Sequence, residues 1–247
     1  GTDVYTGPLK VGEGRTCALM LTEPFRGRPA HDDRLHVDIR IDGVNELLDA
    51  GTYRYSGVEN WDNRLKYAVM HNVLTIDRFE PMTDAGKFLW LDQDQTKILS
   101  RNEAFVSAEH TAFYPLHLNH KRTLRPLANG FSVADDVIPL NSKGEGEHFY
   151  RFHWLLPNQT YSYKKGVLVL DRIRMGFSSD TPFNLRIIRS GFCVFNSGDD
   201  PENGKYPEDA WCGWYSPTYN VKEPALSVVI SCRGEAPFHF DTLIRKN

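Results

Sequence analysis

Three side chains in the first third of the chain could bind a divalent metal ion: His31, Asp49 and His71. Imidazole and carboxylate groups are ligands that zinc and similar ions accept in proteins. Their spacing is not that of a compact motif such as His-Glu-x-x-His, so spacing alone is a weak signal. The alternative is that all three are polar residues at strand ends, with Asp49 hydrogen-bonded to nearby backbone amides.

The elements that must position these residues include a predicted β-hairpin. Between Leu35 and Ile41, apolar residues alternate with polar ones, which predicts a half-buried strand. Asp42-Gly43 then predicts a two-residue turn, and Val44 to Leu48 form the returning strand.

The register of this hairpin decides which histidine meets Asp49. In a regular ladder His36 faces Asp49, whereas His31 lies beyond it, opposite Arg54. His31 and Asp49 can therefore share a metal ion only if residues 31–35 curl back. If that segment is extended strand, His36 and Asp49 form the pair instead.

Composition and charge exclude several functional classes. The chain has 247 residues and a net charge of -3, without the positive excess typical of proteins that bind nucleic acids. No apolar run approaches the roughly 18 residues of a membrane span, and the first residues lack the features of a signal peptide. We therefore expect neither a nucleic-acid partner nor a membrane span, and an acidic ligand would need a local cluster of Arg and Lys.

Short alternating runs separated by Gly, Pro, Asn and Asp recur along the whole chain, without internal repeats or convincing amphipathic helices. This pattern predicts an all-β fold, a large antiparallel β-sandwich of stacked sheets that forms one domain over residues 1–247. A short helical turn is predicted within residues 60–67. Strands are predicted over residues 15–21, 35–41, 44–48, 73–77, 88–91, 96–99, 103–109, 130–138, 148–156, 167–173, 183–188, 191–195, 225–232 and 238–244.

The four cysteines, Cys17, Cys193, Cys212 and Cys232, are far apart and form no Cys-x-x-Cys motif. This spacing argues against a zinc site built from thiolates. We expect free, buried thiols. A bridge from Cys212 to either Cys193 or Cys232 is the alternative in an oxidising compartment.

Three blocks of the sequence resemble the C-terminal β domain of heparinase II/III-type polysaccharide lyases. The first begins with HDDRLHVDI at residue 31 and continues through an Asp-Ala-Gly-Thr-Tyr run to a His-Asn pair. The second runs from EHTAFYPLHLNHKRTL to GEGEHFYRFHWLLP, and the third is GWYSPTYNVKEPALSVVI. Their order and gaps fit the family, and the resemblance covers nearly the whole chain.

The resemblance implies that His31, Asp49 and His71 hold zinc or another divalent metal. It further implies an acidic polysaccharide or oligosaccharide as ligand and a helical toroid that precedes this domain in the same protein. A bacterial protein in the periplasm or outside the cell is implied as well. Side chains that could orient the imidazoles are Asp32, Asp33 and Asn72.

The chemistry implied by the resemblance is β-elimination on a uronic acid. The carboxylate must be neutralised, a base must remove the neighbouring proton, and an acid must protonate the leaving oxygen. In the family, residues of the helical domain do most of this work, so we expect this chain alone to be inactive. The resemblance also implies a catalytic histidine two residues before His31, where this chain has Pro29. A noncatalytic carbohydrate-binding or structural module of a surface or exopolysaccharide system is therefore the alternative function.

Weak catalytic candidates in this chain are Tyr53, His110 and Arg28. A tyrosine in a sugar-facing cleft is as often a stacking residue, and a histidine at a strand end is more often a satisfied ladder residue. Both alternatives remain open from the sequence.

Substrate-binding candidates are Arg26 and Arg28, which could neutralise a carboxylate, and Trp214 and Tyr215, which could stack on a sugar ring. The alternative for the two aromatic residues is that they seal the core and the domain edge.

Overall fold

Antiparallel pairing organises nearly the whole of the computed structural model, which describes residues 9–22, 29–56, 61–93, 95–198, 200–201, 204 and 206–247. Helical structure in these residues is limited to single-turn segments, and none of it is a helix long and apolar enough to cross a membrane. The strands are β1 (Leu9–Glu13), β2 (Thr16–Met20), β3 (Val37–Ile41), β4 (Val44–Leu47), β5 (Leu74–Ile76), β6 (Thr83–Gly86), β7 (Leu89–Leu91), β8 (Thr96–Arg101), β9 (Val106–His110), β10 (Leu118–Leu127), β11 (Gly130–Pro139), β12 (Glu147–Pro157), β13 (Tyr161–Lys164), β14 (Val167–Leu170), β15 (Ile173–Ser179), β16 (Phe183–Arg189), β17 (Phe192–Asn196), β18 (Trp214–Thr218), β19 (Val221–Glu235) and β20 (Phe238–Lys246).

These strands form two large sheets and two small ones. The larger has the order β13-β14-β15-β20-β11-β10-β9-β8, and the second has the order β17-β16-β19-β12-β5 with β18 paired to β19. The small sheets are β1-β2-β3-β4 and β6-β7. The predicted all-β class and the stacked antiparallel sheets are confirmed.

Aromatic side chains join the two large sheets face to face. Tyr150 of β12 stacks on Phe238 of β20 with ring centroids 3.9 Å apart, and Phe152 stacks on Phe240 at 4.0 Å. All four rings are buried. Burying large apolar surfaces in this way is the main stabilising contribution to a sandwich core.

Several strands differ from the sequence-based predictions. The segment predicted as one strand over residues 167–173 contains the whole of β14 and the first residue of β15, and the strand predicted from residue 103 begins at Val106. Strands β1, β6, β10, β13 and β18 were not predicted. The helical turn predicted within residues 60–67 corresponds to the short segment Arg64–Lys66, and a second segment, Ala68–Met70, follows it without having been predicted. All four cysteines are free, as predicted, but Cys193 is exposed and Cys17 is half-buried.

The chain before β3 curls back, as a metal site containing His31 requires. Leu35 adopts a left-handed conformation with φ 56°, and the backbone N–H of His36 donates to the carbonyl of Asp33 at 3.0 Å. The hairpin turns at the predicted Asp42-Gly43, and its register shifts beside Ile39. Residues 31–35 are therefore a turn and not the extended strand of the alternative pairing.

A buried ion pair ties this turn to the large sheet. Arg122 of β10 lies opposite Asp135 of β11, and its Nε and Nη2 atoms donate to the carboxylate at 2.7 and 3.1 Å. Its Nη1 atom donates to the carbonyl oxygens of Leu35 at 2.9 Å and Asn72 at 2.6 Å. One guanidinium group therefore holds the turn before β3 and the entry to β5 in fixed positions.

We predict that Arg122→Met lowers the free energy of unfolding by about 3–5 kcal/mol, because it leaves the Asp135 carboxylate buried without its partner. Urea unfolding followed by tryptophan fluorescence measures the change. Arg125→Met on the same strand is the matched control, since Arg125 is exposed and its loss is expected to change stability by about 0.5 kcal/mol or less. Equal stability of the two variants would contradict the structural role of Arg122.

Candidate functional site

Four potential metal ligands converge where the turn before β3, the end of β4 and the entry to β5 meet. They are His31, Asp33, Asp49 and His71, and one ligand atom from each lies within 4.8 Å of the other three. His71 is fully buried, whereas the other three are half-buried. The group therefore has a buried floor and a side that is open to solvent.

Hydrogen bonds orient each member of this group. The carboxylate of Asp49 accepts from His71 Nδ1 at 3.0 Å and from the backbone N–H of Gly51 at 2.7 Å. His31 Nε2 contacts Thr52 Oγ1 at 3.1 Å. Gly51 has φ 73°, and a Cβ atom there would lie 2.2 Å from the carbonyl oxygen of Ser216. Only glycine therefore permits the tight turn that places Asp49 and Thr52 on the same side.

The donor set fits a divalent metal ion. In the neutral form of His71, Nδ1 donates to Asp49 and Nε2 carries the lone pair that a metal ion would accept. This atom is buried and has no hydrogen-bond partner in the described part of the chain. An unprotonated imidazole nitrogen beside a second imidazole and two carboxylates matches the ligands of zinc and similar ions.

The carboxylates of the group attract positive charge, either as a proton on His71 or as an added cation. Burial and the neighbouring His71 lower the pKa of His31 to about 4. Burial raises the pKa of the Asp33 carboxyl. Burial alone would lower the pKa of His71, but Asp49 outweighs it and raises that pKa. A divalent ion would stabilise the charged carboxylates and the neutral imidazoles together.

The three predicted ligands are therefore brought together, and Asp33 joins them as a fourth. Sequence reasoning had considered Asp33 only as a residue that orients an imidazole. The available signal was its place two residues after His31 in a segment that has to turn. Asp32 lies elsewhere, since its Oδ2 atom accepts from the backbone N–H of Met82 at 2.9 Å.

Asn72 and His36 brace the group from behind. The amide of Asn72 donates to the carbonyls of Val37 and Leu48 at 2.9 and 3.0 Å. Its backbone N–H donates to His36 Nδ1 at 3.0 Å. His36 Nε2 lies 3.8 Å from the Asp49 carboxylate, farther than the 3.0 Å from His71 Nδ1. Asp49 is thus hydrogen-bonded to His71, whereas His36 lies beyond hydrogen-bonding distance of the Asp49 carboxylate.

His110, a catalytic candidate, lies in the interior of the large sheet. Its Nε2 atom donates to His120 Nδ1 at 2.7 Å, and His120 Nε2 donates to Asp135 at 2.7 Å. The backbone N–H of Ala112 donates to His110 Nδ1 at 3.2 Å. His110 is buried and does not reach the surface. A catalytic role for His110 stays a prediction.

Aromatic rings and a lysine form a surface cluster next to the metal group. The rings of Tyr53 and Trp61 lie 5.4 Å apart, and those of Trp61 and Trp214 lie 5.9 Å apart. Lys222 Nζ lies 3.5 Å from the Trp61 ring centroid and 4.2 Å from that of Trp214. Burial lowers the pKa of Lys222. Nothing in the sequence pattern had pointed to Lys222.

Tyr215, another substrate-binding candidate, lies apart from this cluster. Tyr215 follows Trp214 in β18, so its side chain points to the opposite face, where it lines a groove with Arg40 and Glu223. Trp214 and Tyr215 therefore do not form one platform. Arg26 and Arg28 lie outside the described residues. Pro29, in the expected position of a catalytic histidine, is buried.

One family model matches nearly the whole of this chain. Residues 7–241 match the family model described as heparinase II/III-like, C-terminal. A heparinase III structure superposes with a TM-score of 0.69 at 13% identity, covering 100% of this chain and 35% of that chain. A mutant of the heparan sulfate lyase HepC from Pedobacter heparinus gives 0.68 at 17% identity, covering 99% of this chain and 36% of that chain.

A 4-alpha-glucanotransferase from Thermococcus litoralis also superposes, with a TM-score of 0.53 at 10% identity over 99% of this chain and 40% of that chain. At such identities structural similarity shows the fold alone. The chain spans 35–36% of the length of the two lyase structures. A comparison with curated protein sequences gave no match.

The buried hydrogen bonds that link His110, His120 and Asp135 lead to a prediction about how stability depends on pH. Burial lowers the pKa of His120 from 6.5 to about 4, against the opposing effect of Asp135. Below pH 6.5 the unfolded chain binds a proton at this residue that the folded protein does not yet bind. The free energy of unfolding should therefore fall by about 3 kcal/mol from this group between pH 6.5 and pH 4.

His120→Gln keeps a hydrogen-bonding side chain but does not titrate, so its stability should decline less steeply over that pH range. Urea unfolding at several pH values measures both slopes. Parallel curves for the variant and the wild type would show that His120 does not titrate in this way.

Proposed function

Since the chain belongs to the heparinase II/III-like, C-terminal family, we propose that it is the β domain of a polysaccharide lyase that cleaves uronate-containing acidic glycans by β-elimination. In this proposal the domain forms one wall of a cleft and a preceding helical domain of the same protein forms the other. The ligand is an acidic polysaccharide or oligosaccharide, and the protein acts in the periplasm or outside the cell.

The group of His31, Asp33, Asp49 and His71 is the observation that supports this proposal most strongly. Zinc or another divalent ion held there would supply positive charge that neutralises the two carboxylates and braces the segments that carry them. The chain's own residues do the positioning. Asp49 orients the imidazole of His71, and Thr52 contacts that of His31.

The cluster of Tyr53, Trp61, Trp214 and Lys222 supports carbohydrate binding. Apolar sugar faces stack on aromatic rings, and the ammonium group of Lys222 can form a charge-assisted hydrogen bond with a uronate carboxylate. Tyr53 directly follows Thr52, the hydrogen-bond partner of His31. A sugar stacked on this cluster would therefore lie next to the metal group.

β-Elimination needs a base for the proton beside the carboxylate and an acid for the leaving oxygen. Lys222, by neutralising the carboxylate, would make that proton more acidic. We assign the main acid and base groups to the preceding domain, so this chain alone should bind glycan without cleaving it. Tyr53 remains the candidate within this chain that lies on the glycan surface.

Pro29 favours a second candidate function. A proline cannot transfer a proton, and here it stands where the family resemblance implies a catalytic histidine, in a buried position. A domain that retains the carbohydrate surface without this histidine would act as a noncatalytic binding module in a surface or exopolysaccharide system.

The two functions differ in one assay. We predict that the full-length protein, incubated with a panel of uronate-containing polysaccharides, forms unsaturated uronates that raise the ultraviolet absorbance. Asp49→Asn should reduce this rate, because it loosens the segments around the cleft. Saturable binding without any such product would favour the noncatalytic module. The absence of both binding and product would refute both proposals.

We further predict that Lys222→Met weakens binding of a uronate oligosaccharide by about tenfold, through loss of one charge-assisted hydrogen bond. Binding of a neutral oligosaccharide should change little, since the aromatic rings remain. Isothermal titration calorimetry measures both affinities. Lys164→Met removes an exposed lysine of β13 and is the charge-matched control; equal affinities for the two variants would exclude Lys222 from the site.

A further inference from the structure

A cavity of about 380 Å³ lies beside β12 and the residues on either side of His71. None of His31, Asp33, Asp49 and His71 lines it. Its wall instead contains three guanidinium groups together with an aromatic ring: Arg64, Arg78, Arg151 and Trp211. Its volume falls in the range of small-molecule sites, which starts at about 300 Å³.

Arg151 is a buried cation within this wall. The residue is 2% exposed. Its Nη1 atom donates to the carbonyl of Val69 at 3.0 Å, and its Nη2 atom contacts Cys212 Sγ at 3.5 Å. Its Nε atom is buried without a hydrogen-bond partner among the residues that the structure describes. A buried charge whose donors are incompletely satisfied is costly, and a bound anion would offset that cost.

Arg64 presents a second guanidinium to the same space. It stacks over the ring of Trp211 at 4.7 Å, and its Nε atom is also buried without a partner in the described ranges. A stacked guanidinium keeps its edge N–H groups available, and these match the paired oxygens of a carboxylate or a sulfate.

The acidic residues that line the cavity do not cancel this charge. Glu80 accepts a hydrogen bond from the backbone N–H of Ala68 at 2.7 Å, and burial raises its pKa to about 7. The other acidic side chain is Glu208. Of the residues that line the cavity, three carry guanidinium groups and two carry carboxylates, one of which is partly protonated at neutral pH.

We propose that this cavity is an anion-binding site that takes a sulfate or carboxylate group, either carried on a single sugar unit or as a free oxyanion. The guanidinium edges of Arg64 and Arg151 bind the oxygens, Trp211 forms an apolar wall, and Arg78 lies at the exposed rim. The inference does not depend on the proposed lyase function, because it rests on residues outside the metal group and the Lys222 cluster.

Calorimetric titration of the 247-residue chain tests this site with a sulfated glucosamine, glucuronate, inorganic sulfate and uncharged N-acetylglucosamine. Arg64→Gln should weaken binding of the preferred anion at least about tenfold, and Arg78→Gln should weaken it less. Arg174→Gln removes an exposed positive charge on β15 and should leave the affinity unchanged. The uncharged sugar should not bind saturably.

The ligands also separate the two sources of the anion. Tighter binding of a charged sugar than of inorganic sulfate supports a sugar ligand, and equal or tighter binding of sulfate supports a free oxyanion. Absence of saturable binding for all three anions overturns the proposal. Wild-type affinity in a folded Arg64→Gln variant also overturns the proposal. If Arg64→Gln does not fold, wild-type affinity in Arg78→Gln overturns it.

Discussion

The buried ion pair of Arg122 and Asp135 is the interaction on which the candidate metal centre depends. Two of the guanidinium donors bond the carboxylate, to which His120 also donates, and a third reaches the carbonyls of Leu35 and Asn72. One of these carbonyls ends the turn that carries two of the four ligands, and the other directly follows His71. Burying both charges is costly unless every donor is used, and this arrangement uses the spare donor to fix two loops.

The candidate metal centre and the proposed carbohydrate surface are joined by one short segment. Asp49 hydrogen-bonds His71, Thr52 contacts His31, and Tyr53 belongs to the aromatic cluster. Gly51 permits the close approach of this segment to Ser216. A change in the position of the candidate metal ligands would therefore be transmitted to the rings of the aromatic cluster over only a few residues of backbone.

Sequence reasoning predicted the parts of the fold that are coded by local pattern. Alternation revealed β3 and β12, and Asp42-Gly43 revealed the turn between β3 and β4. Strand β10 was not predicted because its inward-facing positions include His120 and Arg122. These two side chains form hydrogen bonds with Asp135 instead of packing in an apolar layer. Strand prediction relies on apolar residues at the inward-facing positions, and here those positions carry polar residues.

The site was predictable only in part for a related reason. The ligand types and the family resemblance indicated three of the four ligands, and the requirement that residues 31–35 curl back followed from the register. The register shift beside Ile39 and the proximity of Asp33 depend on tertiary packing. Lys222 reaches Trp61 from a distant strand, and no spacing rule along the chain encodes that contact.

Metal content is the most direct test of the central claim that four side chains from three segments form one metal site. Elemental analysis after incubation with zinc and removal of excess metal would compare the wild-type chain with Asp49→Asn and His36→Gln. The account predicts about one equivalent of metal in the wild type and in His36→Gln, and its loss in Asp49→Asn. A folded wild-type chain without metal, or undiminished metal in Asp49→Asn, would contradict it.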